Sequence, residues 1–121
     1  MSGSANKAKG SRWEADIENY ANEAGVKARR LPRAGSKDIG DVAIELKSGH
    51  VLVIEAKNTK THDMAQYLRE AEIEAGHYED KYGAVSYGVV VTKTRQKGAG
   101  DGRVVMTFDT LINLLNWEGL T

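Results

Sequence analysis

At 121 residues the chain is long enough for one domain with its own core and short for two. It has no cysteine, which excludes disulfides, thiolate zinc sites and thiol nucleophiles, and it has no apolar run approaching a membrane span. Lys and Arg number 17, as do Asp and Glu, so the net charge is zero and gives no support for a nucleic-acid partner.

Residues 1–8 are small and polar and are expected to form a flexible tail ahead of a single domain at 9–121. Ser11 followed by Glu14 is a capping-box pattern, after which Trp13, Ile17, Tyr20, Ala21 and Ala24 recur at helical spacing and Gly25 supplies a stop. Glu14 falls on the border of that stripe, where a carboxylate reaches over the edge of whatever the helix packs on. A short strand is predicted at 26–31 and a loop at 32–40. Strands at 41–46 and 51–57 follow, joined by the hairpin signal Lys47-Ser48-Gly49-His50.

Thr61 is expected to cap a second helix, in which Met64, Tyr67, Leu68, Ala71, Ala75 and Tyr78 share one stripe. Ile73 lies on the opposite side, a contact candidate in an oligomer. Residues 85–92 hold an unbroken Val89-Val90-Val91 run, the pattern of a buried central strand. A Gly-rich basic loop at 93–102, a strand at 103–108 and a helix capped by Asp109 complete the chain. The order α-β-β-β-α-β-β-α describes an α/β (α+β) sandwich around a mixed sheet.

The distribution of charge is more informative than its sum. Residues 27–37 carry five bases and no acid, and residues 70–80 carry five acids and no Lys or Arg. A chain polarised in this way offers a basic face to phosphates and an acidic face to water, although ordinary solvated surface explains the same pattern.

The strand period makes one arrangement nearly automatic. Glu55 and Lys57 point to the same face, roughly 7 Å apart, at the end of a strand whose earlier positions on that face are Val51 and Val53. Asp41 opens the neighbouring antiparallel strand, and a four-residue turn puts it opposite Glu55. Two close carboxylates either share a proton or bind a cation, and oxygen ligands select Mg²⁺, with Mn²⁺ as a substitute. The main-chain carbonyl of Ala56 is placed to add a ligand, and Glu14 to complete the site from the first helix. A cation there activates water, and the Lys57 ammonium stabilises the charge of a phosphodiester under attack. An E-x-K sequence alone is more often a surface ion pair, and Asp41 makes the two readings about equal.

Three stretches carry a resemblance: Lys9-Gly10-Ser11-Arg12-Trp13-Glu14; Arg33-Ala34-Gly35-Ser36-Lys37 with Asp41; and Ile54-Glu55-Ala56-Lys57. Together they resemble the archaeal-type Holliday junction resolvases, within the PD-(D/E)XK, restriction-endonuclease-like nucleases. Order and spacing agree over about the first two-thirds of the chain. The resemblance implies a restriction-endonuclease-like core and catalytic roles for Glu14, Asp41, Glu55 and Lys57. It also implies a Mg²⁺-dependent homodimer that nicks two strands of a four-way junction in double-stranded DNA, with no small-molecule cofactor and no membrane. Arg33 and Ser36 would lie in the substrate-facing loop. With the other bases near these motifs, the expected DNA-binding set is Lys9, Arg12, Arg29, Arg30, Arg33, Ser36 and Lys37.

The chain departs from the family at Ala15, where an Arg is usual, and shows no family motif in its last third. A nuclease of the same fold acting on flaps, ends or damaged strands is the first alternative. A non-catalytic nucleic-acid-binding module is the second. A soluble, intracellular protein is expected, and a compact resolvase without cysteine would suit a virus or mobile element. Gln66 and the bases Lys93, Arg95, Lys97 and Arg103 rank lower as phosphate contacts. His50, His62 and His77 show no ligand spacing.

Overall fold

The computed structural model describes residues 2–33, 37–61 and 63–121, with residues 2–6 described in backbone only. The elements in chain order are α1 (Ser2–Glu23), β1 (Lys27–Arg30), β2 (Val42–Glu45), β3 (Val51–Lys57), α2 (Met64–Tyr82), β4 (Ser86–Thr92), β5 (Arg103–Val105) and α3 (Phe108–Trp117). A single 3-10 turn, Ala99–Asp101, precedes β5. This is the predicted order, around one mixed five-stranded sheet. Ser36 and His62 lie outside the described residues. Among the described residues, no helix is long and apolar enough to cross a membrane.

The sheet runs β1-β2-β3-β4-β5. β1, β2 and β3 are antiparallel neighbours, β3 and β4 are parallel, and β5 returns antiparallel to β4. Period-2 alternation sorts the strand side chains into two cores. One face carries Ala43, Val51 and Val53 against Ala75 and Tyr78 of α2, with Leu31 and Ile39 beside them. The other carries Val42, Ile54, Val89 and Val91 against Trp13 and Ile17 of α1. Val89 and Val90 are fully buried on opposite faces of β4, as expected of an interior strand. Gly88 is required where α2 crosses β4, since a Cβ there would sit 2.3 Å from the Ala71 carbonyl oxygen.

Three boundaries differ from the sequence expectation. α1 begins at Ser2 and takes in most of the stretch expected to be a tail. Ala5, Lys7, Ala8 and Lys9 are strong helix formers with no proline among them, so a helix seated by Trp13 and Ile17 simply propagates backwards. Ser11 is therefore inside the helix, and its Oγ accepts a hydrogen bond from Arg30 at 2.9 Å. Asp63, not Thr61, caps α2, its carboxylate accepting the Gln66 N–H at 3.2 Å. Thr107, not Asp109, caps α3, its hydroxyl accepting the Thr110 N–H at 3.1 Å. Asp109 instead lies in the first turn, where its charge complements the helix dipole.

Candidate active site

The register Val42↔Ile54 sets Asp41 opposite Glu55, as the hairpin predicts. Asp41 is pinned at three points. Its N–H donates to the Ile54 carbonyl at 3.0 Å, its carbonyl accepts from Leu31 N–H at 2.9 Å, and its Oδ2 accepts from Ala56 N–H at 2.9 Å. Gly40 makes this approach possible: its φ is +101°, and a Cβ would lie 2.4 Å from Val53 Cγ1. Within one strand residue the N–H and C=O point to the same edge, so the Ala56 carbonyl opens on the side of Asp41.

Glu55 and Lys57 emerge on the face covered by α2, and α2 brings two acids to meet them. Glu70 Oε2 lies 3.3 Å from Lys57 Nζ, which also stands 4.6 Å from the centre of the Tyr67 ring. Glu74 is 6% exposed and its carboxylate approaches Glu55. Oxygens of Asp38, Glu55 and Glu74 all lie within 4.8 Å of one another. An all-oxygen donor set of this kind suits a hard divalent cation.

Asp38 and Glu74 were not among the sequence-predicted site residues. Asp38 sits on the loop before β2, held by two contacts: its Oδ1 accepts the Gly40 N–H at 2.9 Å, and His77 Nδ1 donates to its carbonyl at 2.8 Å. Glu74 was read as part of a solvated acidic face. The signal that identifies it is positional: Ala71, Glu74, Ala75 and Tyr78 occupy i, i+3, i+4 and i+7, so Glu74 stands in the buried stripe.

Burial dominates the electrostatics. It raises Asp41 to about 8, with the adjacent Glu55 adding to the effect while the Ala56 N–H and Arg33 oppose it. Burial likewise raises Glu55 to about 8, opposed by its contact with Asp41 and reinforced by Glu74. Glu74 is pushed up to about 7 by burial, with Asp38 and Asp41 contributing. Burial works against the charge of Lys57, but Glu55 and Glu70 outweigh it and raise its pKa. At neutral pH the site therefore holds a cationic lysine beside carboxyls that share protons, an arrangement that a divalent ion would convert to full ionisation.

Glu14 is buried but does not join these carboxylates. It rides on α1, behind the opposite sheet face, where Arg30 lies 3.3 Å from Oε1 and Arg33 contacts Oε2. Arg33 reaches round the rim to Asp41 at 3.2 Å and so links Glu14 to the site. Arg29 points to the other face, onto the rings of Tyr78 and Tyr82 at 5.7 and 5.9 Å, apart from Arg30 and Arg33. Arg12 and Lys37 are exposed, and Lys9 is half-buried.

A groove of about 720 Å³ opens where β3 and β4 end, its wall beginning at Asn58, one residue beyond Lys57. Lys9, Lys60, Lys93, Arg95 and Arg103 line it, and among the described residues no acid does. Parallel β3 and β4 end side by side, with Lys93 N–H donating to the Lys57 carbonyl at 3.0 Å, so the groove begins next in the chain to Lys57, although none of Asp38, Asp41, Glu55, Lys57 and Glu74 lines it. Lys60 was not singled out in the sequence, because only the sheet topology brings it beside the 93–103 loop.

No curated protein sequence matches the chain. The structure of Hjc from Archaeoglobus fulgidus, a Holliday junction resolvase from an archaeal hyperthermophile, is similar with a TM-score of 0.54 and 23% identity, over 81% of this chain and 72% of that one. A VRR_NUC domain is more distantly similar, with a TM-score of 0.41 and 19% identity over 89% of this chain and 95% of that one. The family model described as archaeal Holliday junction resolvase (Hjc) matches residues 5–111, and on that match the chain belongs to the archaeal Holliday junction resolvase family of nucleases.

Proposed function

We propose that the protein is a divalent-metal-dependent endonuclease that acts as a homodimer and makes paired nicks in four-way DNA junctions. The observation that carries this reading is the meeting of Asp41 and Glu55 at one sheet rim, with Lys57 on the same face and a basic groove adjoining.

In this mechanism Asp41, Glu55 and the Ala56 carbonyl would hold Mg²⁺, or Mn²⁺ in its place. Both Asp41 oxygens accept a hydrogen bond, yet each retains a lone pair for an ion. A cation held there would supply Lewis acidity and lower the pKa of a water for in-line attack on the phosphodiester. The Ala56 N–H fixes the Asp41 carboxylate so that little reorganisation accompanies the reaction. Lys57, kept charged by Glu55 and Glu70, neutralises charge building on the phosphoryl oxygens. Glu14 acts through Arg33, holding its guanidinium against Asp41 until phosphate competes for it.

Lys9, Lys60, Lys93, Arg95 and Arg103 track the backbone along the groove. Arg12, Arg30, Arg33 and Lys37 extend the phosphate contact on the other side of the site. Arg29 contributes less, being stacked on α2.

The homodimer is supported by exposed apolar side chains on β5 and α3. Phe108 (75% exposed), Leu111, Ile112 and Trp117 of α3, with Val104 and Leu120, form exposed apolar surface of the kind proteins cover by association. A two-fold axis through such a contact matches the two-fold symmetry of a junction and makes paired cuts a consequence of geometry.

The test is cleavage of a synthetic four-way junction, a flap and linear duplex, each with Mg²⁺ or EDTA. Mg²⁺-dependent paired nicks in the junction are expected, and Asp41→Asn abolishes cutting while leaving junction binding in place. Preference for the flap moves the substrate assignment, and cutting that survives Asp41→Asn removes the site assignment.

A further inference from the structure

Glu74 presents a problem that neither fold nor charge pattern resolves. Its Oε1 is buried and, among the described residues, no N–H, hydroxyl or basic side chain donates to it; only a proton carried by the neighbouring Glu55 carboxyl is within reach of Glu74. A buried acceptor left without a donor is destabilising, the more so when charged, and once Glu55 and Glu74 are both ionised this one calls for a partner from outside the chain. The chain's own cations are directed elsewhere: Lys57 to Glu70, and Arg33 to Glu14 and Asp41. Among the described residues, no ion pair reaches Asp38, Glu55 or Glu74.

We propose that Glu74 is a ligand of a divalent cation, held in a pocket made by the carboxylates of Asp38, Glu55 and Glu74 on the α2 side of the Asp41–Glu55 pair. This deepens the nuclease reading above and rests on it, adding two ligands from outside the strand motif. The geometry is close to that of a filled site. Oxygens around an octahedral Mg²⁺ lie about 3 Å apart when adjacent and about 4.2 Å when opposite, given metal–oxygen bonds near 2.1 Å. The observed oxygens lie within 4.8 Å of one another, so the envelope is wider than that opposite-ligand spacing by less than about 1 Å. The three donors come from the loop before β2, from β3 and from α2, so the bound ion also ties α2 to the sheet at its active edge. Asp38 is exposed, which leaves one side of the pocket open to water and to a phosphate oxygen.

The test is isothermal titration of MnCl₂, and separately MgCl₂, into the metal-stripped full chain without DNA, for the wild type, Glu74→Gln, Asp38→Asn and Glu72→Gln. Glu72 is an exposed control on the same helix. Glu74→Gln should weaken Mn²⁺ binding at least tenfold and Asp38→Asn at least threefold, while Glu72→Gln binds as the wild type. A melting curve in EDTA should show Glu74→Gln folded and no less stable than the wild type, because a buried acid has been removed. If it does not fold, Asp38→Asn decides, since its side chain is at the surface. Wild-type Mn²⁺ affinity in Glu74→Gln, with metal-dependent cutting by the wild type intact, overturns this inference and leaves the nuclease reading standing. A wild type that neither binds the ions nor cuts overturns both.

Discussion

Replacing Glu55 by Gln should make the metal-free protein more stable at pH 8 while destroying its metal response. Glu55 is 6% exposed and shares its surroundings with Asp41 and Glu74, facing Asp38 and Lys57 as well. In the unfolded chain these acids titrate near pH 4; in the folded protein burial holds Glu55 and Asp41 to about 8 and Glu74 to about 7. Between those limits the folded state carries more protons than the unfolded one. Stability therefore falls as pH rises through that window and levels off above it.

At about 1.4 kcal/mol per pH unit, moving one isolated carboxyl from about 4.5 to about 8 corresponds to roughly 5 kcal/mol. The carboxyls share protons, so Glu55 by itself accounts for less than half of this, on the order of 2 kcal/mol. For a chain of this size that is about 8 °C in melting temperature. Scanning calorimetry in EDTA should show Glu55→Gln melting higher than the wild type by on the order of 5–10 °C at pH 8, and by little at pH 5. Saturating Mg²⁺ should raise the wild type at pH 8, by about 2.7 kcal/mol at a hundredfold excess over Kd, and leave the variant unmoved. A variant that melts lower than the wild type at pH 8, or a gain equal at both pH values, would refute the reasoning.

Two further outcomes follow from the surfaces. Arg33→Ala should weaken junction binding and reduce the slope of log K against log salt by about one unit, measured by fluorescence anisotropy over a salt series; an unchanged slope takes Arg33 out of the interface. Phe108→Asp should leave the fold intact, its side chain being largely in solvent, and shift sedimentation from dimer to monomer. A dimer that survives the change places the interface away from α3.

The strand motif was legible in the sequence because a β-strand has a period of two. Glu55 and Lys57 had to share a face, and a short turn had to return Asp41 to the same rim. The helix starts were less legible. Thr61 and Asp63 are both competent caps two residues apart, and it is Asp63 that accepts the Gln66 N–H at the start of the helix. Glu74 was hidden for a different reason. The run of acids around it resembles a solvated face, and its place in the buried stripe matters only once a carboxylate is known to lie beneath it.

The sequence by itself determined the element order, the two-core alternation and the Asp41–Glu55–Lys57 edge, since local periodicity and one tight turn fix all three. Only the tertiary structure decided what meets that edge. Glu14 reaches it through Arg33, because α1 packs behind the other face of the sheet. Glu74 reaches Glu55 because Gly88 lets α2 lie close against β4, and Asp38 joins them from the loop before β2, tied to α2 through His77. The basic groove forms where parallel β3 and β4 end together, joining residues far apart in the chain, and no local pattern encodes such long-range contact.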